Sequence, residues 1–328
     1  MTAGLERASV VGMIDPLGAN DSQQGAGGRI PGAPGIPAFV LSAPEPSAIP
    51  VLIAAPHAGR AYPSSLLKDM RQPETVSIRL EDRLVDRIAK GVARATGASL
   101  LFAQAPRAMI DLNRAPDDVD WDMFSRASRP AGHRGLPSRR VRSGLGLIPR
   151  RLPGVGEIWR GRLEESDLRA RIDGVHEPYH VALASALSGL RERWGAALLL
   201  DLHSMPPLAA RLGSEPVRFV VGDKFGASCH GSLVGACFSH FAHHGWEASH
   251  NRPYAGGYVL ERHGRPAEAI HAMQLEIDRS CYLDSRLLEP GPGMEAMIEL
   301  LSGLVRQLAA TVCELAQDSG RGMAQAAE

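Results

Sequence analysis

Two hydrophobic rhythms alternate along the chain. Val51 to Ala55 (VLIAA), Ser99 to Ala103, Ala108 to Leu112, Ala196 to Leu202 and Arg218 to Val221 (RFVV) are short apolar runs of strand length. Between them, apolar residues recur at helical spacing. Arg79 to Thr96 predicts a helix with Leu80, Leu84, Val85, Ile88 and Val92 on one face. Leu168 to Trp194 predicts a second helix interrupted at Pro178, and Met294 to Gln317 an amphipathic closing helix. Buried apolar strands alternating with helices predict an α/β fold, a single domain whose central mixed, mostly parallel sheet is flanked by helices.

Before the first run, Gly25 to Pro37 is more than half glycine and proline. Such a stretch cannot bury enough apolar surface to offset its ordering entropy, so residues 1–45 are expected to be a flexible extension. The globular domain is expected over 46–318, with a tail over 319–328.

Three runs end in polar residues that a core does not need, and ligands bind at the carboxyl ends of strands in open α/β sheets. His57 follows VLIAAP. Asp201 and His203, in the segment DLHS, fall on one side of a strand by period-two alternation. An imidazole beside a carboxylate at a strand end has the form of a zinc ligand with its orienting partner. Asn113 and Arg114, in DLNR, offer an amide and a guanidinium suited to a planar carboxylate. Two histidines and a carboxylate from separate elements would make an open catalytic zinc site. The carboxylate candidates are Glu81, Asp82 and Asp86. Further on, Gln274 and Glu276 share a strand face ahead of Arg279 and Tyr282. Glu276 is there either an ion-pair partner of Arg279 or a general base beside a substrate-binding arginine. Gly256 and Gly257 permit positive φ or close backbone approach, and a plain hairpin would explain them equally.

Other clusters are read as structural. His240, His243, His244 and His250 are expected at an exposed helix end and loop. No GxSxG elbow or phosphate-binding GxxxxGK[ST] loop occurs. From Ser125 to Gly156 there is no acidic residue, and eight arginines fall between Arg126 and Arg151. That segment reads as an ordered surface loop or as a lid facing an anion, and its lack of aromatic residues argues against RNA.

Composition narrows the class. In 328 residues, 36 Lys+Arg balance 36 Asp+Glu, which argues against nucleic-acid partners. No apolar run reaches membrane-spanning length. Cys229, Cys237, Cys281 and Cys313 have no metal-binding or disulfide spacing, so a reduced, cytoplasmic protein is expected. A small-molecule substrate bearing carboxylates is the expected partner, and a homo-oligomer is left open.

Taken in order, PHAG after the first strand, the Asp82–Asp86 pair, DLNR, PYH at Pro178 to His180, DLHS, GGY at Gly256 to Tyr258 and QLEIDRSCY resemble the N-formylglutamate amidohydrolase family, over about residues 48–290. The resemblance implies a phosphorylase/hydrolase-like fold similar to that of zinc carboxypeptidases and aspartoacylases, and hydrolysis of N-formyl-L-glutamate to formate and glutamate. It implies one zinc ion (Zn2+) per chain on His57, His203 and Asp82. Glu276 corresponds to the general base, and Arg107 to the arginine that polarises the scissile carbonyl. Asn113 and Arg114, with Arg279, would hold substrate carboxylates. The carboxypeptidase HxxE pattern is broken, since Arg60 stands three residues after His57. Two alternatives are a metallopeptidase or deacylase acting on another N-acyl substrate, and a non-enzymatic protein using the arginine-rich loop for an anion.

Overall fold

The computed structural model describes residues 22–128, 138–209 and 216–325. In chain order the strands are β1 (Ser22–Gly27), β2 (Phe39–Pro44), β3 (Val51–Ala55), β4 (Ser99–Ala103), the short hairpin β5 (Arg151–Leu152) and β6 (Gly156–Glu157), β7 (Ala197–Met205), β8 (Phe219–Gly222), β9 (Ala248–His250) and β10 (Ile270–Asp278). The helices are α1 (Ser64–Asp69), α2 (Pro73–Leu80), α3 (Val85–Thr96), α4 (Arg139–Arg142), α5 (Glu165–Arg171), α6 (Glu177–Trp194), α7 (Gly231–His243), α8 (Tyr258–His263) and α9 (Met294–Gln325).

Among the described residues, eight strands make one mixed sheet in the order β1-β2-β4-β3-β7-β10-β8-β9. The pairs β4–β3, β3–β7, β7–β10 and β8–β9 are parallel, and the other three are antiparallel. Every residue of β3, β7 and β10 is buried, which explains why they read as continuous apolar runs. Alternate residues feed two cores. Leu52, Ala54, Leu199 and Ala272 pack with Tyr179, Leu183 and Leu187 of α6. Val51, Ile53, Leu198 and Leu200 pack with Ile88 and Val92 of α3 and with Leu304, Val305 and Leu308 of α9. Each such leucine contributes about 1.5–3 kcal/mol by leaving water. Among the described residues only Met294–Asp318 is long and apolar enough to cross a membrane, and its apolar stripe is spent on this core.

Several expectations change. The Gly/Pro-rich segment is not all loose extension, because Ser22 to Gly27 pairs antiparallel with Phe39 to Pro44 and closes one sheet edge. Backbone pairing supplies what its side chains cannot. Residues 1–21 lie outside the described residues. The closing helix runs on to Gln325, through most of the expected tail. The helix expected from Arg79 divides into α2, a turn and α3. Leu84 takes left-handed φ (57°) there, and the amide of Asp82 is captured by the carbonyl of His57 at 3.0 Å. Ala108 to Leu112 is not a strand but a buried turn, tied by the Asp111 amide to the Leu147 carbonyl at 2.7 Å. The break expected at Pro178 comes just before it, as a π turn over Ile172–His176, so that proline sits in the first turn of α6. Finally, His240 is buried, bonding the Leu300 carbonyl of α9 at 2.9 Å, whereas His243, His244 and His250 are exposed as expected.

Candidate active site

The parallel strands β3, β7 and β10 deliver their last residues side by side. Register places Asp201 beside Gln274 and His203 beside Glu276, while Ala54 of β3 pairs with Asp201 on the other side. His57 emerges just past β3. Asp82 reaches the same spot from the turn before α3.

His57, Asp82 and His203 form a buried trio whose donor atoms lie within 4.8 Å of one another. Asp82 Oδ2 is 2.8 Å from His203 Nδ1 and 3.6 Å from His57 Nδ1. The far nitrogen of each ring is held by a second carboxylate. His57 Nε2 meets Asp111 Oδ1 at 2.6 Å, and His203 Nε2 meets Asp201 Oδ2 at 2.9 Å. With each Nε2 held by a carboxylate, Nδ1 of both rings faces inward toward Asp82, an orientation that suits metal ligation through Nδ1. His57 Nδ1 is buried and has no hydrogen-bond partner. An orphaned imidazole nitrogen facing a carboxylate and a second imidazole fits a borderline divalent cation such as zinc.

Burial alone would push the Asp82 carboxyl up, but the His203 and His57 imidazoles beside it hold it far below the usual range. Burial would push His203 down, and its two carboxylate neighbours, Asp201 and Asp82, carry it well above an ordinary imidazole instead. Burial pushes Glu276 up to about 7, with the opposing charge of His203 the next influence. A carboxyl so placed exchanges protons near neutrality.

The other expected residues sit around the trio. Arg107 clamps Asp111 through Nε and Nη2, both at 2.9 Å, so it also braces the carboxylate behind His57. The Asn113 amide lies 3.3 Å from His203 Nε2 and 3.3 Å from Gln274 Oε1, and its carbonyl accepts from the Val259 amide at 3.0 Å. Any side chain at Gly257 would collide with Asn113, which gives that glycine its reason. Instead of a hairpin, the GGY segment leads straight into α8. Arg114 is buried, with Nε on the Leu145 carbonyl at 2.9 Å and Nη1 on the Asn113 carbonyl at 2.6 Å. Arg279 makes no ion pair with Glu276. Its Nε donates to Ser204 Oγ at 3.1 Å and its Nη2 reaches the Glu81 carbonyl and Asp82 Oδ1, so it braces Asp82. Glu81 and Asp86, the other carboxylate candidates, are bound to Arg83 and to Arg60 with Lys90.

Sequence reasoning assigned no role to the buried histidines behind DLNR. His180 Nε2 meets the Leu112 carbonyl at 3.0 Å and His176 Nε2 meets that of Arg114 at 2.9 Å, so two rings grip the backbone on either side of Asn113. His263 stacks on His180 and shares a 3.0 Å contact with its Nδ1. Only PYH hinted at this, and the partners are distant in sequence.

A cavity of about 490 Å³ opens on the far side of Asn113, which forms part of its wall. Arg114, Arg139, Arg140, Lys224 and Tyr258 also line it.

A family model for N-formylglutamate amidohydrolase matches residues 49–283. An N-formylglutamate deformylase of Pseudomonas putida is 32% identical over 266 residues, covering 79% of this chain and 91% of that protein. Another, of Pseudomonas aeruginosa, is 30% identical over 247 residues, covering 73% and 84%. The crystal structure of N-formylglutamate amidohydrolase from Ralstonia eutropha JMP134 superposes with a TM-score of 0.73 at 30% identity, over 87% of this chain and 99% of that one. A gene product of Agrobacterium tumefaciens shares the fold at 15% identity and a TM-score of 0.58, over 85% and 96% of the two chains. On these matches, and with its strand-end motifs gathered at one buried centre, the chain is an enzyme that hydrolyses a linear amide and belongs to the N-formylglutamate amidohydrolase family.

Proposed function

We propose that this enzyme cleaves the formyl amide of N-formyl-L-glutamate to formate and L-glutamate, with one zinc ion held by His57, Asp82 and His203. The observation that carries the reading is the trio itself, with both rings oriented by carboxylates and Glu276 on the adjoining strand.

When bound, zinc supplies Lewis acidity that makes an attacking water more acidic and polarises the amide carbonyl. Glu276 accepts a proton from that water as the C–O bond forms, then passes it to the amide nitrogen as the C–N bond breaks. Its elevated pKa suits both halves of this exchange. Arg107 faces the developing negative charge on the formyl oxygen, and Nη1 is the guanidinium nitrogen that Asp111 does not engage. Asn113 and Arg114 form the wall against which the amino-acid portion lies. Arg279 serves Asp82, so its part in carboxylate binding passes to other cations.

Elemental analysis and a formate-release assay on one preparation test this. About one zinc per chain, lost together with activity in His203→Ala, is the expected result. Protein that takes up no metal when zinc is supplied, or a metal-loaded enzyme that releases no formate from N-formyl-L-glutamate, defeats it.

A further inference from the structure

The arginines nearest the trio are already committed. Arg107 is clamped to Asp111, Arg114 to two backbone carbonyls and Arg279 to Ser204 and Asp82. A substrate with two carboxylates therefore needs cations from elsewhere. The cavity beyond Asn113 supplies them. Arg139 and Arg140 line it, both are exposed, and neither has a carboxylate within ion-pair distance among the described residues. The other lining cation, Lys224, is paired with Glu261 at 3.0 Å.

We propose that Arg139 and Arg140 recognise the side-chain carboxylate of the acidic amino acid, making this cavity the pocket that selects it; the inference rests on the reading that the enzyme deformylates N-formyl-L-glutamate.

Helix α4 presents both side chains from a fixed mount. Ser138 Oγ accepts from the Val141 amide at 3.1 Å, Val141 is buried, and Arg151 bonds the Arg142 carbonyl at 2.6 Å. The stretch from Ser125 to Gly156 contains no acid that would neutralise the pair locally. The pocket also communicates with the chemistry. Its wall residue Asn113 lies 3.3 Å from His203 Nε2, so one side chain links the pocket to the trio. The half-buried Tyr254 hydroxyl is raised, chiefly by burial and then by the charge of Glu276, while Arg140 opposes the rise. Both charges thus act on one phenol. At about 490 Å³ the cavity matches the size of small-ligand sites. Asp117 and Asp118 line it as well, which confines the anion seat to the arginine side. A guanidinium pair suits a carboxylate because its N–H groups form parallel, charge-assisted bonds.

The test compares N-formyl-L-glutamate with its neutral isostere N-formyl-L-glutamine on the zinc-loaded full chain, together with calorimetric binding of L-glutamate. Arg140→Gln and the double variant with Arg139→Gln are expected to lower the glutamate-over-glutamine ratio in kcat/KM at least about tenfold, mostly through KM, and to weaken L-glutamate binding in parallel. Arg140→Lys should restore part of both. A double variant that melts like the wild type yet keeps the full preference overturns the proposal. Wild-type protein that binds L-glutamate through these arginines but releases no formate upholds the pocket and defeats the proposed reaction. Wild-type protein that neither binds L-glutamate nor prefers it over glutamine defeats the pocket.

Discussion

Glu276 and His203 are direct register partners on adjoining parallel strands, so the proposed base and one proposed metal ligand share a single backbone hydrogen-bonding frame. Their separation is set by the spacing between strands and not by a loop. Replacing Glu276 with Gln is expected to keep this frame and the metal while lowering kcat by about 10²–10⁴-fold. Loss of zinc in the same variant would show that Glu276 is a ligand and not a base.

The base must be ionised to accept a proton. With Glu276 raised to about 7 by burial, activity should fall as pH drops through and below neutrality. A bound cation favours the carboxylate and moves this limb to lower pH, never higher. A kcat/KM profile with a rising limb centred well above 7 contradicts the assignment.

Asp201 holds His203 by its outer nitrogen. Asp201→Asn keeps the shape but lets the ring rotate or change tautomer, and should weaken zinc affinity by about 10–100-fold. Competition with a chelator reads this directly, and unchanged affinity would remove Asp201 from the site.

Gly257→Ala probes the wall of the cavity. The added methyl would strike Asn113, so activity should drop by about tenfold or more with little change in melting temperature. Wild-type kinetics in this variant would show that Asn113 can move without consequence.

Acid should destabilise the fold through histidines buried in neutral form. Burial lowers His263 to about 3 and His271 to about 4, against about 6.5 in an unfolded chain. Between those limits the unfolded state binds more protons, so stability falls as pH drops below about 6.5, by about 1.4 kcal/mol per pH unit for each ring. Denaturant titrations of His271→Gln should show a shallower dependence below pH 6. Parallel curves for variant and wild type would exclude His271 from the effect.

Much of this was legible in the chain. Continuous apolar runs marked the central strands because those strands are covered on both faces, and polar residues at their ends marked the centre. Asp201 and His203 fell on one side because strand periodicity is local. What was not legible depends on partners far away in sequence. Arg279 was expected on substrate, yet it bridges Ser204 and Asp82 across the sheet. Ala108 to Leu112 has a strand's composition, but the Leu147 carbonyl captures it as a turn. Glycine-rich β1 is specified by its neighbour's free edge, which composition cannot reveal.

The bond from the Asp82 amide to the His57 carbonyl ties two of the proposed ligands together at the neck of a long excursion, which carries α1 and α2 before returning. The excursion is itself held to the body, because Leu66, Met70, Val76 and Leu80 are buried in the core. Two of the proposed ligands are thus held at the neck and along the loop, while His203 takes its position from the sheet alone.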